Sequence, residues 1–160
     1  MTLMSSINPA GTPADVLVLR RLIDATPDLV FAVWSDPRHV AEWWRPDGYT
    51  TPVFEMDFRV GGAFRYCIRK AGRDSWARGV YREIVPKSRI VLTFQWQSGD
   101  AAHDAETLVT VSFEAQDERT LLTFRQEPFS STASRHSHGV GWNQVLASFE
   151  SFVIKQRDSS

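Results

Sequence analysis

The sequence predicts an α+β domain: a curved antiparallel sheet of about seven strands, in the order β-α-α-β6-α, wrapped around a long C-terminal helix. Three observations lead there. In residues 138–154 the large apolar residues recur as Trp142, Val145, Leu146, Phe149, Phe152 and Val153. Those offsets of three, four, seven, ten and eleven from the tryptophan trace one face of an α-helix. Upstream, strand-like segments succeed one another through short turns, which is the pattern of hairpins and hence of antiparallel pairing. A sheet with one apolar face and a helix with one apolar stripe bury them against each other.

Taken in order, residues 1–14 hold Ser, Asn, Pro, Gly and Thr without a period and read as a mobile tail, leaving a single domain over 15–156. Residues 16–23 (VLVLRRLI) form a first strand. Thr26-Pro27-Asp28 is a helix start, with Thr26 as N-cap and Pro27 in the first helical position. Ser35-Asp36-Pro37 opens a second short helix that runs to about Trp44. Two short helices at this point make a compact cap and not a parallel crossover. Strands follow over 53–58, 64–69, 76–84, 90–96, 107–113 and 122–126. In the second of these, Phe64, Tyr66 and Ile68 alternate with Arg65, Cys67 and Arg69. An even-numbered turn at 70–73 then places Phe64 and Tyr66 on one face with Ala77, Gly79 and Tyr81. Gly79 removes bulk there, where a helix or ligand approaches. A Ser-rich stretch over 130–137 leads into the closing helix, whose start is blurred by Gly139 and Gly141.

Composition narrows the function classes. A chain of 160 residues buries roughly 70% of its extended surface, enough for one full core. With a net charge of −1, nothing draws the whole molecule to nucleic acid or to an anionic membrane. The N-terminus lacks the basic patch and apolar run of a secretion signal, and no stretch reaches spanning length, so membrane insertion is not expected. Cys67 is the one cysteine, which fits a reducing cytoplasm. Six tryptophans and ten phenylalanines supply more bulk than a core this size requires. They either interlock as a filled core or line a cavity.

Four segments occur in register with this strand-helix order: Trp43-Trp44-Arg45-Pro46, Phe58-Arg59-Val60-Gly61-Gly62, the run from Gly79 through Tyr81 to Pro86, and His138-x-x-Gly141-Trp142. Together, over 16–154, they resemble the START-like (SRPBCC, helix-grip) superfamily, in the branch named for the C-terminal domain of activators of the heat-shock chaperone ATPase. That resemblance implies a sheet gripping a C-terminal helix around a hydrophobic cavity. Relatives include lipid carriers, plant pathogenesis-related proteins and polyketide cyclases. A fold does not dictate a function, so the site has to carry the argument. The tail before residue 16 is shorter than the extra N-terminal domain that the chaperone activators carry.

By strand and helix parity, Phe64, Tyr66, Tyr81, Phe94, Trp96, Phe113, Phe124, Trp142, Leu146 and Phe149 point between sheet and helix, and Trp43, Trp44 and Arg45 close the second short helix at a cavity mouth or as a plug. The expected occupant is a small hydrophobic molecule, oriented by Tyr66, Tyr81 or Gln126. The alternative is a cyclase- or hydrolase-like enzyme using Tyr66, Tyr81 or Glu83 as acid or base. A third reading is a protein-binding module of the chaperone-activator kind. No catalytic residue stands out: His39, His103, His136 and His138 form no metal set with carboxylates, and no phosphate loop, nucleophile elbow or dinucleotide fingerprint occurs. No metal or cofactor is therefore expected. Cys67 falls on the outer face, as a thiol activated by Arg65 and Arg69 or simply as an inert one. Arg65, Arg69, Arg78, Arg82 and Arg125 also fall on outer faces, with Trp76 among them. They suggest a docking face for an acidic protein, or a solvated surface; pairing with a second copy of the chain is also open.

Overall fold

The computed structural model describes residues 5–159, which form β1 (Ser5–Ile7), β2 (Leu17–Ile23), α1 (Pro27–Trp34), α2 (Val40–Trp43), β3 (Thr50–Met56), β4 (Ala63–Lys70), β5 (Arg73–Val85), β6 (Arg89–Trp96), β7 (Thr107–Gln116), β8 (Arg119–Glu127) and α3 (Thr132–Asp158). The strands make one sheet in the order β1-β2-β8-β7-β6-β5-β4-β3, with antiparallel neighbours throughout. The seven strands expected from the pattern are β2 to β8, curved around α3.

Local chemistry sets several boundaries. The Thr26 hydroxyl accepts from Leu29 N and Pro27 occupies the first turn of α1. Ala71 and Gly72, both at positive φ, make a two-residue turn between β4 and β5. That even count puts Phe64 opposite Gly79 and Tyr66 opposite Ala77. A Cβ on Gly79 would land on the Thr93 carbonyl and within 2.5 Å of the Phe64 ring. The space left by this glycine is thus filled by Phe64, not by helix or ligand.

The second short helix, expected to open at Ser35-Asp36-Pro37, is a single turn over Val40–Trp43, preceded by a turn in which Asp36 Oδ1 accepts from Arg38 N at 2.9 Å. Two larger differences remain. Residues 5–7 are an edge strand, with Ile7 opposite Leu19, where a tail was expected. Asn8 locks it down: its Oδ1 accepts from Val18 N at 2.8 Å and its Nδ2 donates to Val16 O at 3.0 Å. Three residues are too few to show a period of two, so the strand leaves no pattern; residues 1–4 lie outside the described residues. The second difference is the length of α3, which begins at Thr132, where a loop was expected over 130–137. The Ser131 hydroxyl caps it by accepting from Ser134 N at 3.0 Å. This first part of the helix is polar and carries no apolar stripe.

Packing on α3 follows the predicted face. Trp142, Val145, Leu146, Phe149 and Val153 are buried, and Phe152 is half-buried against the His39 ring. Burying those five side chains contributes on the order of 7–15 kcal/mol gross. The polar flank is also used: Arg21 on β2 donates to Glu150 at 2.8 Å and to Asn143 at 3.0 Å. Gly139 lets the helix approach β2 closely, since a Cβ there would sit 3.1 Å from Leu17 Cδ1.

Gly141 is different, because a Cβ there meets nothing within 4 Å. Gly141→Ala is expected to raise stability by about 0.5–1 kcal/mol through helix propensity. Gly139→Ala is expected to fall short of that gain because Leu17 must move. Chemical denaturation of both variants checks the contrast. The Trp142 indole donates to Gln126 Oε1 at 2.8 Å in a buried setting. Trp142→Phe should therefore cost about 1–3 kcal/mol by the same measurement, from the acceptor left dry.

Candidate ligand-binding site

The helix lies closest to β2 and diverges from β4, β5 and β6. Aromatic side chains fill most of the resulting wedge. Where they stop, beside the N-terminal half of α3, a cleft of about 710 Å³ opens. Its floor is Trp44, Tyr66, Trp96 and Trp142, with Ile68 alongside. The helix contributes Ser137, His138, Val140, Gly141 and Gln144, and a polar rim comes from Asp47, Lys70, Asp74, Gln97, Ser98 and His103.

Hydrogen bonds hold the floor rings in place. The Trp142 indole donates to Gln126 Oε1; Gln126 Nε2 then donates to Thr107 Oγ1 at 2.9 Å, and that hydroxyl donates to Phe94 O at 3.1 Å. The Trp96 indole donates to His138 Nε2 at 3.0 Å. Since Nε2 accepts, the proton of His138 sits on Nδ1, which donates to Ser134 O at 2.8 Å. His103 stacks on Trp96, 5.6 Å between centroids, and its ring lies 6.0 Å from that of His138. Tyr66 stacks flat on Phe54 at 5.2 Å and lies 5.5 Å from the Trp44 ring. Burial pushes the Tyr66 phenol well above its ordinary range, with the Trp44 indole pulling slightly the other way.

Of the eleven residues expected to line a cavity, the structure brings Trp44, Tyr66, Trp96 and Trp142 to the cleft. Phe64, Tyr81, Phe94, Phe113, Phe124, Leu146 and Phe149 lie in the packed core instead. Phe149, for example, is fully buried, meeting Trp43 at 4.6 Å and Trp34 at 5.1 Å on the two short helices, so no open space is left beside it. The two neighbouring tryptophans divide the expected roles, Trp43 as a fully buried plug and Trp44 as floor. Gln126 does not orient a ligand, because both ends of its amide are taken up internally. Sequence reasoning missed His138 and His103 as cleft residues. Only tertiary structure joins positions 35 residues apart, although the His138-x-x-Gly141-Trp142 segment did point to the right stretch of helix.

The remaining candidates lie elsewhere. Glu83 pairs with Arg89 at 2.7 Å, which holds its carboxyl below the usual range. Cys67 is buried; desolvation first, and Asp74 second, push its thiol up, so the activated reading gives way to the inert one. Of the two cations expected to activate it, Arg69 is engaged by Asp74 at 2.6 Å and Arg65 lies over the Trp76 ring at 3.9 Å. The arginine face is not continuous. Arg65 sits opposite Arg78 and over Trp76 at 3.9 Å, but β6 and β7 separate Arg125 from them, and Glu127 pairs with it at 2.6 Å. Among the described residues no group of three or more His, Cys, Asp or Glu is placed to hold a metal ion, and no helix is long and apolar enough to cross a membrane.

Burial, aided by the nearby His103, pulls the His138 pKa below the ordinary imidazole value. The unfolded chain then binds more protons than the folded one as pH falls below about 6.5, so stability is lost in that direction. Thermal melts should show a lower midpoint at pH 5.5 than at pH 7.5. A His138→Gln variant should show a smaller drop between the same two pH values.

Comparison with known proteins agrees with this architecture. A crystallised protein from Chromobacterium violaceum is 27% identical, with a TM-score of 0.80 over 88% of this chain and 98% of that one. An AHSA1 protein from Silicibacter pomeroyi is 21% identical, with a TM-score of 0.77 over 88% of this chain and 99% of its own. A solution structure from Arthrobacter aurescens is 20% identical, with a TM-score of 0.78 over 94% and 91%. No curated protein matches the sequence. The family described as activator of Hsp90 ATPase homolog 1-like protein matches residues 24–153. With the strands β3 to β8, both short helices and most of α3 inside that match, the chain belongs to the activator of Hsp90 ATPase homolog 1-like family.

Proposed function

We propose that this protein binds a small hydrophobic molecule in the cleft beside α3, in the cytoplasm. One observation carries the reading: an aromatic-floored cleft of about 710 Å³, within the roughly 300–1,000 Å³ usual for small-molecule sites. Its apolar surfaces have fixed shape, because the Trp96 and Trp142 indoles are tied to His138 and Gln126. A floor pinned in this way keeps its form without a ligand to hold it open, so little ordering cost falls on binding. The polar rim lets the ligand's solvent end remain hydrated. The single buried cysteine supports the cytoplasmic placement.

For the cyclase- or hydrolase-like alternative, only Tyr66 of the three acid-base candidates lines the cleft. Glu83 is committed to Arg89, and Tyr81 is covered edge-on by Phe58 at 5.0 Å. With its proton held tightly, Tyr66 suits donation of a hydrogen bond better than proton abstraction.

Native mass spectrometry of the protein purified from its own host tests the binding proposal. The wild type should carry a co-purifying apolar molecule. A Gly141→Trp variant, which fills the open space over the cleft, should lose it while melting within a few degrees of wild type. Equal retention by both forms would place the molecule elsewhere, and turnover of it on incubation would move the assignment to an enzyme.

A further inference from the structure

Polar groups on the cleft floor are almost all used up. The Trp96 and Trp142 indoles donate to His138 and Gln126, and the His138 ring nitrogens are both engaged. Two groups remain. The Trp44 indole nitrogen is buried without a hydrogen-bond partner, in a side chain only 4% exposed. The second is the Tyr66 hydroxyl, whose polar neighbour is that same indole.

An indole N–H only donates, and no acceptor among the described residues reaches that of Trp44. Nor does any group among the described residues take the Tyr66 proton. The buried Trp44 donor costs free energy until an acceptor reaches it. On the Tyr66 hydroxyl, in the lining of the cleft, a ligand acceptor takes the place of water.

The charge of the acceptor follows from what surrounds it. The cleft's lysine, Lys70, is on the rim, with its ammonium 5.2 Å from the Tyr49 ring centroid. Nothing cationic lies beside Tyr66 on the floor, where Trp44, Trp96 and Trp142 pack around it. A carboxylate or phosphate pushed onto this floor would be desolvated without a counter-charge. An uncharged oxygen bears no such cost.

We propose that Tyr66 is the polar anchor of the cleft, and that the ligand is a flat aromatic or polycyclic molecule that enters with an uncharged carbonyl oxygen first and accepts the Tyr66 proton. This rests on the cleft being the binding site, and it adds the chemical class that the site selects. The flat body stacks or meets edge-on with the Trp96 and Trp142 rings, which stand ready on either side of Phe94.

Three probes of one shape test it by isothermal titration: 2-acetylnaphthalene, 2-isopropenylnaphthalene with CH2 in place of the oxygen, and 2-naphthoate. Wild type should bind the ketone about 3–10-fold tighter than the hydrocarbon, the usual worth of one neutral hydrogen bond, and the carboxylate most weakly. Tyr66→Phe, checked for folding by circular dichroism, should bring the ketone-to-hydrocarbon ratio close to one. Should that variant not fold, the wild-type ranking decides alone. Ketone and hydrocarbon binding alike, with Gly141→Trp abolishing both, would leave the cleft as the site and overturn Tyr66 as its anchor. The carboxylate binding tightest would overturn it as well. No binding by wild type, or binding that Gly141→Trp leaves unchanged, would overturn the anchor together with the cleft.

Discussion

A 27-residue helix about 40 Å long crosses an eight-stranded sheet roughly 34 Å wide. It can touch such a surface closely along one line, and everything to either side of that line has to be filled by side chains. Here the line of contact is β2, where Gly139 admits Leu17 and Arg21 ties Glu150 and Asn143. On the far side the distance to β4, β5 and β6 grows, which is where the tryptophans and phenylalanines are spent. Around Phe149 they close the gap completely. Near Gly141 they do not, and the cleft is the part of the wedge that remains.

Keeping such a gap open needs rings that cannot swing inward. Two indoles of the floor are held through their nitrogens, Trp142 by Gln126 and Trp96 by His138. Those bonds use donors that would otherwise be dry, so one set of contacts satisfies buried polarity and fixes the shape of the floor. Trp43 and Trp44 lie outside this arrangement, both with unpartnered indole nitrogens. Trp43 is sealed among Trp34 and Phe149, whereas Trp44 borders open space next to Tyr66. Adjacent residues of the same type thus do unlike things because the short helix α2 ends between them.

Much of the fold could be read from residue order. Thr26-Pro27 marked the start of α1, the spacing from Trp142 to Val153 marked the buried face of α3, and the turn at Ala71-Gly72 carried the register of β4 on β5. Each is a local rule, set by one capping group, one helical period or one turn length. The edge strand at Ser5–Ile7 and the polar first turns of α3 left no such trace, being held by long-range partners such as Asn8 on Val16 and Val18 or Arg135 on the Ala14 carbonyl. Cys67 shows the same limit. Alternation put it on the outer face correctly, but its burial and the capture of Arg69 by Asp74 set its reactivity.

Residue order settles which side chains turn inward, because side-chain direction follows from the periods of helix and strand. Facing inward is a property of one element. Whether inward-facing rings meet or leave a void depends on the separation of two elements, and that is decided by how α3 leans across the sheet. Phe149 and Trp142 share one helical stripe, yet the first closes a core and the second borders a cleft. The partners that fix the floor, His138 for Trp96 and Gln126 for Trp142, were likewise chosen by tertiary structure, since a hydrogen bond between distant segments exists only once both are in place.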